Sequence, residues 1–554
     1  MWKRFFPASE WLKGYSVIIF GSDAISGITL AAYAIPVSLA YAMLAGLPPQ
    51  YGIYGYMLGG LFYAILGTGR QLAIGPTSAI SLLIGTTIAG MAHGDPQRWV
   101  DIASLTAMVF AVMSILAYLF RLSGIINFIS ETVLIGFKAG AALAIGLTQL
   151  PALFGVTGGG GSFIERLITL INQLPETNFP VFIFGISAIV ILIAGERFFP
   201  GRPVAIIVVI LSIILFSATS LGEAGFKTVG ILPSGLPHFH MPSLNIRDID
   251  GVIPLAFACF LLAYIESVSA AKTLAQKNGY EIDPRQELLA LGAANLATAL
   301  GQGYPVSGGL SQSAVNEKAG AKTPISLVIA SAVIALCLLF LTGMLKNLPN
   351  VLLACIVFVA IRGLVDLKEF IHLWKMHRTD FFIAMIAVVG VLVFGILKGV
   401  LIAAITTLIL LIKSVTKPHV AFLGRIPGTK RYTDVSRHPD NEIMPGILLF
   451  RVESSILYFN VENIRVLVWA KILSSGNSLK TVIWDLSTSP FVDREGAKLI
   501  KRLYEDLKAK EISLRIAEAH ADVRDMLRSE EIEHLLGHIS RKVSIDELVN
   551  SSSP

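Results

Sequence analysis

The chain has 554 residues, 54% of them hydrophobic and only 15% charged, against roughly 25% charged in an ordinary soluble domain. A soluble fold of this length could not hide so much apolar surface, so the membrane is the solvent for most of the chain. The formal net charge of +6 is read as loop charge rather than as a nucleic-acid footprint, because Lys and Arg are retained in cytoplasmic loops.

In chain order, Trp2-Lys3-Arg4 and Lys13 precede the first long apolar run, with no small-residue cleavage site. The N-terminus is therefore expected to be cytoplasmic and uncleaved. Loop charges and Gly/Pro breaks divide Ser16 to Ile412 into about fourteen apolar segments. They begin near Phe20, Tyr51, Ala73, Ile102, Thr132, Phe182, Ala205, Val252, Leu288, Leu310, Pro324, Val351, Phe381 and Val400. Alternate loops then carry Arg70; Arg121; Arg197 and Arg202; Lys272, Lys277 and Arg285; Lys318 and Lys322; and Arg362, Lys368, Lys375 and Arg378. The opposite loops hold mainly Arg98, Arg166, Lys227, Arg247, Lys346 and Lys398. The asymmetry predicts an inner-membrane protein with both termini cytoplasmic.

The first segment contains Asp23-Ala-Ile-Ser-Gly27, Pro36 and Tyr41, and leads to Gly46-Leu-Pro-Pro-Gln50-Tyr51-Gly52. Pro36 removes a backbone donor in mid-segment, which predicts either unwinding there or an ordinary proline kink. The third and tenth segments start abruptly, at Gly75-Pro76-Thr77-Ser78-Ala79 and at Pro305-Val-Ser307-Gly308-Gly309-Leu310-Ser311-Gln312-Ser313-Ala314. Each predicts a short helix that starts inside the bilayer, where unpaired amides and the helix dipole make a site for an anion. Third and tenth are equivalent positions if the fourteen segments form two inverted sevens with a midplane site.

Lys138 lies in an apolar segment, and both snorkelling and anion attraction remain open. Two outer stretches, Gly155 to Pro180 with the Gly158-Gly161 run and Leu221 to Gly251, are expected to be irregular loops. The glycine run has no preceding strand and no Gly-Lys-Ser/Thr after it, so it is read as a linker rather than a phosphate loop. Glu266 is an acid deep in the eighth segment, either facing a cavity as a coupling group or paired with Lys272 near the cytosolic end. Cys259, Cys337 and Cys355 fit neither a metal site nor a disulfide framework, and no metal, cofactor or catalytic grouping is expected.

After Lys413 charged residues become frequent. Strand-like runs Ile447-Val452, Leu479-Asp485 and Ser513-Ala517, with helical patterns over Glu495-Lys510 and from Asp522, predict a small α/β sandwich. The chain is accordingly divided into a transmembrane domain (1–415), a linker (416–440) and a cytoplasmic domain (441–554).

The Asp23 to Gly52 block resembles the SulP anion permeases and their SLC26 relatives. So do Gly75-Pro76-Thr77, the run Glu266-Ser-Val-Ser-Ala-Ala-Lys272 with Glu281-Ile-Asp-Pro-Arg-Gln-Glu287, and Tyr304 to Asn316. The Glu266 and Glu281 blocks look most like bacterial sulfate permeases. Thr481-Val-Ile-Trp-Asp-Leu-Ser487, Phe491-Val-Asp493-Arg-Glu-Gly496 and Ile512 to Ala517 resemble a STAS domain.

The resemblance implies an all-α polytopic domain of two inverted sevens, with core and gate domains, plus the small α/β STAS domain. It places an anion among Thr77, Ser78, Ala79, Leu310, Ser311, Gln312 and Tyr41, with Glu266 as the coupling position and Lys138 as a further candidate. It implies secondary active transport, with proton-coupled sulfate symport by alternating access as the leading expectation. A sodium- or proton-coupled bicarbonate or dicarboxylate carrier is the alternative, and an anion channel or exchanger stands further off. Membrane lipid, a homodimeric partner and a regulatory partner at the STAS domain are expected too. Two residues depart from the pattern. Gln312 stands where the family commonly has Arg, and Arg494 stands where related STAS proteins carry a phosphorylatable Ser, so no phosphorylation switch is expected there.

Overall fold

A computed structural model describes residues 7–12, 14–92, 95–124, 131–199, 204–219, 225–243, 246–362, 365–536 and 543–552. Trp2-Lys3-Arg4, Lys13 and Arg202 lie outside the described residues. The chain forms two compact units, residues 1–407 and 408–554.

The first unit is helical, and a helix stands at each of the fourteen expected places. These are α1 Val17–Leu44, α2 Gln50–Leu66, α3 Ser78–Ala92, α4 Pro96–Leu119, α5 Glu131–Phe154, α6 Phe179–Phe198, α7 Val204–Ala218, α8 Ile246–Lys277, α9 Pro284–Leu300, α10 Leu310–Lys318, α11 Ile325–Phe340, α12 Asn350–Ile361, α13 Arg378–Phe394 and α14 Ile396–Thr416. By length and composition, α1, α4, α6 and the apolar stretches Thr132–Phe154 and Asp248–Lys277 are sufficient to cross a membrane. The nine residues of α10 reach only about 14 Å at 1.5 Å per residue, under half the ~30 Å hydrocarbon core.

Packing follows a two-sevens scheme. Helix α9 packs on α4 as α2 packs on α11; α1 packs on α11 as α8 packs on α4; and α2 and α9 pack on each other. A second group repeats this, with α13 on α5, α12 on α6, and α5 against α12. Each contact maps onto another, or onto itself, when the helix seven places away is substituted. The first group is the core and the second the gate. Small residues permit the closest approaches: a Cβ on Gly52 would lie 2.0 Å from the Ser38 carbonyl oxygen, and one on Gly136 would lie 2.1 Å from that of Ala384.

Acids buried at helix ends fasten the core. Asp23 accepts from the amides of Lys322 (2.7 Å) and Thr323 (3.0 Å) and from the Thr323 hydroxyl, tying α1 to the start of α11. Glu287 accepts from the Tyr63 hydroxyl and from the Thr68 amide, each at 2.8 Å, joining α9 to the end of α2. Both groups were quoted in the sequence for family likeness, and their work here is architectural: each buried carboxylate is satisfied by several donors.

Three expectations need correction. Helix α1 runs continuously through Pro36, so of the two readings there the unwinding is overturned. The stretch from Gly155 to Pro180 is not wholly irregular: it contains an amphipathic helix, Phe163–Gln173, opened by a Ser162–Glu165 capping box. Residues 416–440 are not a linker, because they carry two strands of the second unit's sheet, and the units divide inside α14. In the second outer stretch, described residues 225–243 are irregular, as expected, but its end from Ile246 to Gly251 already belongs to α8. The irregular part is held by Val229 and Gly230 amides donating to the Leu348 and Lys346 carbonyls.

The second unit is a five-stranded sheet ordered β4-β3-β5-β6-β7. Its strands are β3 Val420–Arg425, β4 Tyr432–Asp434, β5 Ile447–Val452, β6 Thr481–Asp485 and β7 Ser513–Ala517. Strand β3 is antiparallel to β4 and β5, and β5, β6 and β7 are mutually parallel. Helices α15 Val461–Ser474 and α16 Arg494–Lys508 make the crossovers, followed by α17 Ala521–Ser529 and α18 Ile545–Ser552. The central strands are apolar on both faces because helices cover both, as parallel strands require. On one side Trp484 packs on Phe450 with ring centroids 4.8 Å apart, and on the other Val549 of α18 meets Ile483. Arg494 pairs with Glu530 at 3.0 Å.

Candidate functional site

The site is built where two interrupted helices meet. Strand β1 (Ile74–Gly75) pairs antiparallel with β2 (Ser307–Gly308), matching Ile74 with Gly308 and Gly75 with Ser307. The chain therefore enters α3 and α10 from one short ribbon, running in opposite directions. In α3 the first backbone bond runs from the Ser81 amide to the Thr77 carbonyl, and in α10 from Ser313 to Gly309. The amides of Ser78, Ala79 and Ile80, and of Leu310, Ser311 and Gln312, consequently have no intrahelical acceptor. Gly309 has no side chain to cap α10.

Both helix starts line a cavity of about 250 Å³. Its wall includes every residue singled out in the sequence: Thr77, Ser78 and Ala79 on α3's start; Leu310, Ser311 and Gln312 on α10; Tyr41 on α1; Glu266 on α8; and Lys138 on α5. Core helices supply all of these except Lys138, which comes from the gate.

Glu266 accepts from the Ser307 hydroxyl at 3.3 Å, and Ser307 lies 3.3 Å from the Thr77 hydroxyl. A polar chain thus runs from the acid to both helix starts. Among the described residues Glu266 makes no ion pair with Lys272, so of the two sequence readings the cavity-facing one matches the geometry. Lys138 is exposed and lines the cavity beside its chain neighbour Phe137 and Leu134 one turn earlier, which share the wall.

Gln312 lines the cavity, but its side-chain amide is already engaged. Its Nε2 donates to the Ala73 carbonyl (3.1 Å) and to the Ser307 carbonyl (3.3 Å), so its two hydrogens clip the two arms together. What Gln312 offers the cavity directly is its backbone amide.

Several residues were not selected from the sequence. Asn295 holds the second arm by accepting from the Val306 amide (2.9 Å) and donating to the Val306 carbonyl (3.0 Å). Ser267 accepts from the Gly308 amide at 2.7 Å. Ser269 and Thr273 line the cavity beside Glu266; their spacing of three and seven from an intramembrane acid was a usable helical signal.

A second cavity, of about 590 Å³, shares Tyr33, Val37, Ser311 and Ala360 with the first and continues to Arg197, Lys318 and Arg362. Those cations stand at the last turns of α6 and α10 and at the end of α12, on the side that the sequence reads as basic, so the central cavity adjoins a cavity at the basic end. Toward the other end, α5 lines the central cavity up to Ala141 and reappears in a separate cavity only at Leu147. About 9 Å of packed helix lies between.

A polytopic helical domain with two broken helices opening on one cavity is the architecture of a membrane transporter. Residues 20–387 match the family described as "Sulfate permease family", and residues 438–544 match "STAS domain". The chain belongs to the sulfate permease family, whose members are membrane anion transporters and not enzymes. It is 33% identical to "Sulfate transporter 4.1, chloroplastic" of Arabidopsis thaliana, over 94% of this chain and 78% of that one. It is 30% identical to "High affinity sulfate transporter 1" of Stylosanthes hamata, over 99% and 86%. The fold matches the murine Slc26a9 anion transporter in the inward-facing state, with TM-score 0.89, 22% identity, and 96% of this chain and 90% of that chain covered. It also matches the transmembrane domain of a cyanobacterium bicarbonate transporter, BicA, with TM-score 0.62, 22% identity, and 71% and 98% covered.

Proposed function

We propose that this protein is a proton-coupled sulfate symporter of the bacterial inner membrane, working by alternating access with both termini in the cytoplasm. The observation that carries the reading is the pair of helix starts opening on one cavity with Glu266 in its wall. The five helix-start amides on the cavity wall, of Ser78, Ala79, Leu310, Ser311 and Gln312, and the Thr77, Ser78 and Ser311 hydroxyls replace an oxyanion's hydration shell, and two helix dipoles supply positive potential. Glu266, one hydroxyl away from both arms, repels a divalent anion when ionised and ceases to do so when protonated. Proton and anion therefore load together. Core and gate then move against each other across the cavity, with Lys138 as the gate's contribution to holding the anion.

The test is uptake of radiolabelled sulfate into proteoliposomes under an imposed pH gradient. Wild-type uptake is expected to rise with an inward proton gradient, and Glu266→Gln to lose that dependence. Unchanged pH dependence in the variant would refute the coupling role.

One observation supports a second reading. The site lacks the cation common at position 312, and uncharged Gln312 favours a monovalent anion over a divalent one. Of the alternatives, a sodium- or proton-coupled bicarbonate carrier follows from that, whereas a dicarboxylate is divalent like sulfate; competition uptake with these anions, with and without sodium, separates the readings. Dimerisation and regulation through the STAS domain belong to the same proposal; cross-linking in native membranes tests the first.

A further inference from the structure

One feature that this transport reading leaves unused is the separate cavity beyond the closed segment of α5. It measures about 330 Å³ and lies where the end of α5, the start of α6, the start of α12 and two loops converge. Its wall holds two cations, Arg166 of the Phe163–Gln173 helix and Lys227 of the second outer stretch. No carboxylate lines it, and neither cation has an ion-pair partner among the described residues. Arg166 Nε and Asn350 Oδ1 in the same wall are buried without a hydrogen-bond partner. A buried polar atom left unsatisfied loses its bonds to water without replacement, so such atoms call for a ligand.

The glycine run contributes as well. Gly158 and Gly159 line the cavity, and φ of +72° at Gly158 turns the backbone back toward Gln173, whose Oε1 accepts the Gly158 amide at 2.9 Å. This bond fixes the loop against the helix that bears Arg166. The segment read as a linker is one wall of a built cavity. Thr157, Gly159 and Lys227 in the wall are exposed, so the cavity communicates with solvent on the side opposite the basic vestibule.

We infer that this cavity is a second anion site, which captures an oxyanion at the outer mouth before the gate above the central cavity opens. It rests on the proposed transport of an oxyanion. The guanidinium of Arg166 donates from Nε, which is currently unpaired. The ammonium of Lys227 supplies a second charge, and Asn350 donates from its amide once that group is turned. Two cations without counter-charges in a cleft focus potential and raise the local anion concentration. The cavity and the central site share no wall residue, so filling one leaves the other available.

The test places a reporter thiol with Thr157→Cys; the native cysteines are all buried. The protein is reconstituted in phosphatidylcholine vesicles and treated from outside with a sulfonate-bearing methanethiosulfonate, with and without sulfate. Sulfate is expected to slow the labelling, and the reagent to react about tenfold faster than its neutral analogue. Both effects should vanish when Arg166→Gln and Lys227→Gln are added. In the same vesicles the double variant should raise the KM for sulfate uptake several-fold without changing kcat. Labelling indifferent to sulfate, or equal protection in the double variant, overturns the site. Protection by sulfate in a protein that transports none would instead refute the proposed function and leave the site standing. Labelling that only vesicles containing an anionic lipid suppress would assign the cavity to a lipid phosphate and overturn the capture role.

Discussion

The two interrupted arms are alike in backbone and unlike in support. The second arm is fixed by the core scaffold: Asn295 of α9 satisfies both backbone groups of Val306, and Ser267 of α8 takes the Gly308 amide. The first arm is fixed largely by the second arm's own helix. Ser313 accepts from the Ala73 amide (2.9 Å), Gln312 donates to the Ala73 carbonyl, and Asn316 donates to the Gln71 carbonyl (3.1 Å). A pseudo-symmetric site thus rests on an asymmetric hierarchy, in which α10 is both an anion-facing helix and the anchor for α3. Disturbing the second arm should displace both halves, whereas disturbing the first should displace one.

The sharpest way to break that comparison is Asn295→Ala. It strands two buried backbone groups at about 1–3 kcal/mol each, and sulfate uptake should fall to background while the chain still inserts. Uptake near the wild-type rate would show that the second arm does not depend on α9. Removing one clip is milder: Ser313→Ala should cost about 0.6–1.7 kcal/mol, the range for hydrogen bonds between membrane helices. Its signature is a raised KM with the pH dependence of uptake retained; loss of pH dependence would place Ser313 in coupling instead.

Gln312→Arg sharpens the comparison from the chemical side. A guanidinium can keep both carbonyl contacts and add charge, so preference for divalent over monovalent anions should shift about tenfold, ~1.4 kcal/mol. Competition uptake reads it, and an unchanged preference would mean that charge at this position does not reach the anion.

The smallest effect is expected in the second unit, away from both arms. Burial pushes the Asp434 carboxyl up, but bonds from His419 (2.9 Å) and the Ser436 amide (2.8 Å) outweigh it and hold the group below the usual carboxylate range. A depressed folded value means that the stabilisation is present above the unfolded value of about 3.9 and is lost as pH falls through the folded one. Hydrogen exchange of β4 should therefore be faster in Asp434→Asn at neutral pH, and the difference should close in acid. Equal exchange at neutral pH would remove Asp434 from the account.

Much of this was legible in the sequence, because the signals were local. Long uncharged runs separated by basic loops give the helices. Proline and glycine at Pro76 and Gly309 give the two broken starts, since a helix cannot form through them without losing bonds. Glu266 declares itself by its cost in hydrocarbon. Apolar runs give β5, β6 and β7; β4 is hidden because Tyr432–Asp434 has only three residues, and β3, as long as β5, because Val420–Arg425 sits among Lys417, Arg425, Lys430 and Arg431 and reads as a basic membrane-surface segment.

Partnership was decided only by the tertiary structure. Nothing local distinguishes a Gln312 that meets an anion from one whose amide is spent on carbonyls 239 and 5 residues away. Nothing in Gly158-Gly161 signals that Arg166 and Lys227 will converge beside it. Hydrophobic periodicity and helix breakers act over a few residues and are written in order along the chain. Which donor meets which acceptor depends on how distant helices cross, and that is fixed only when the core and gate have packed.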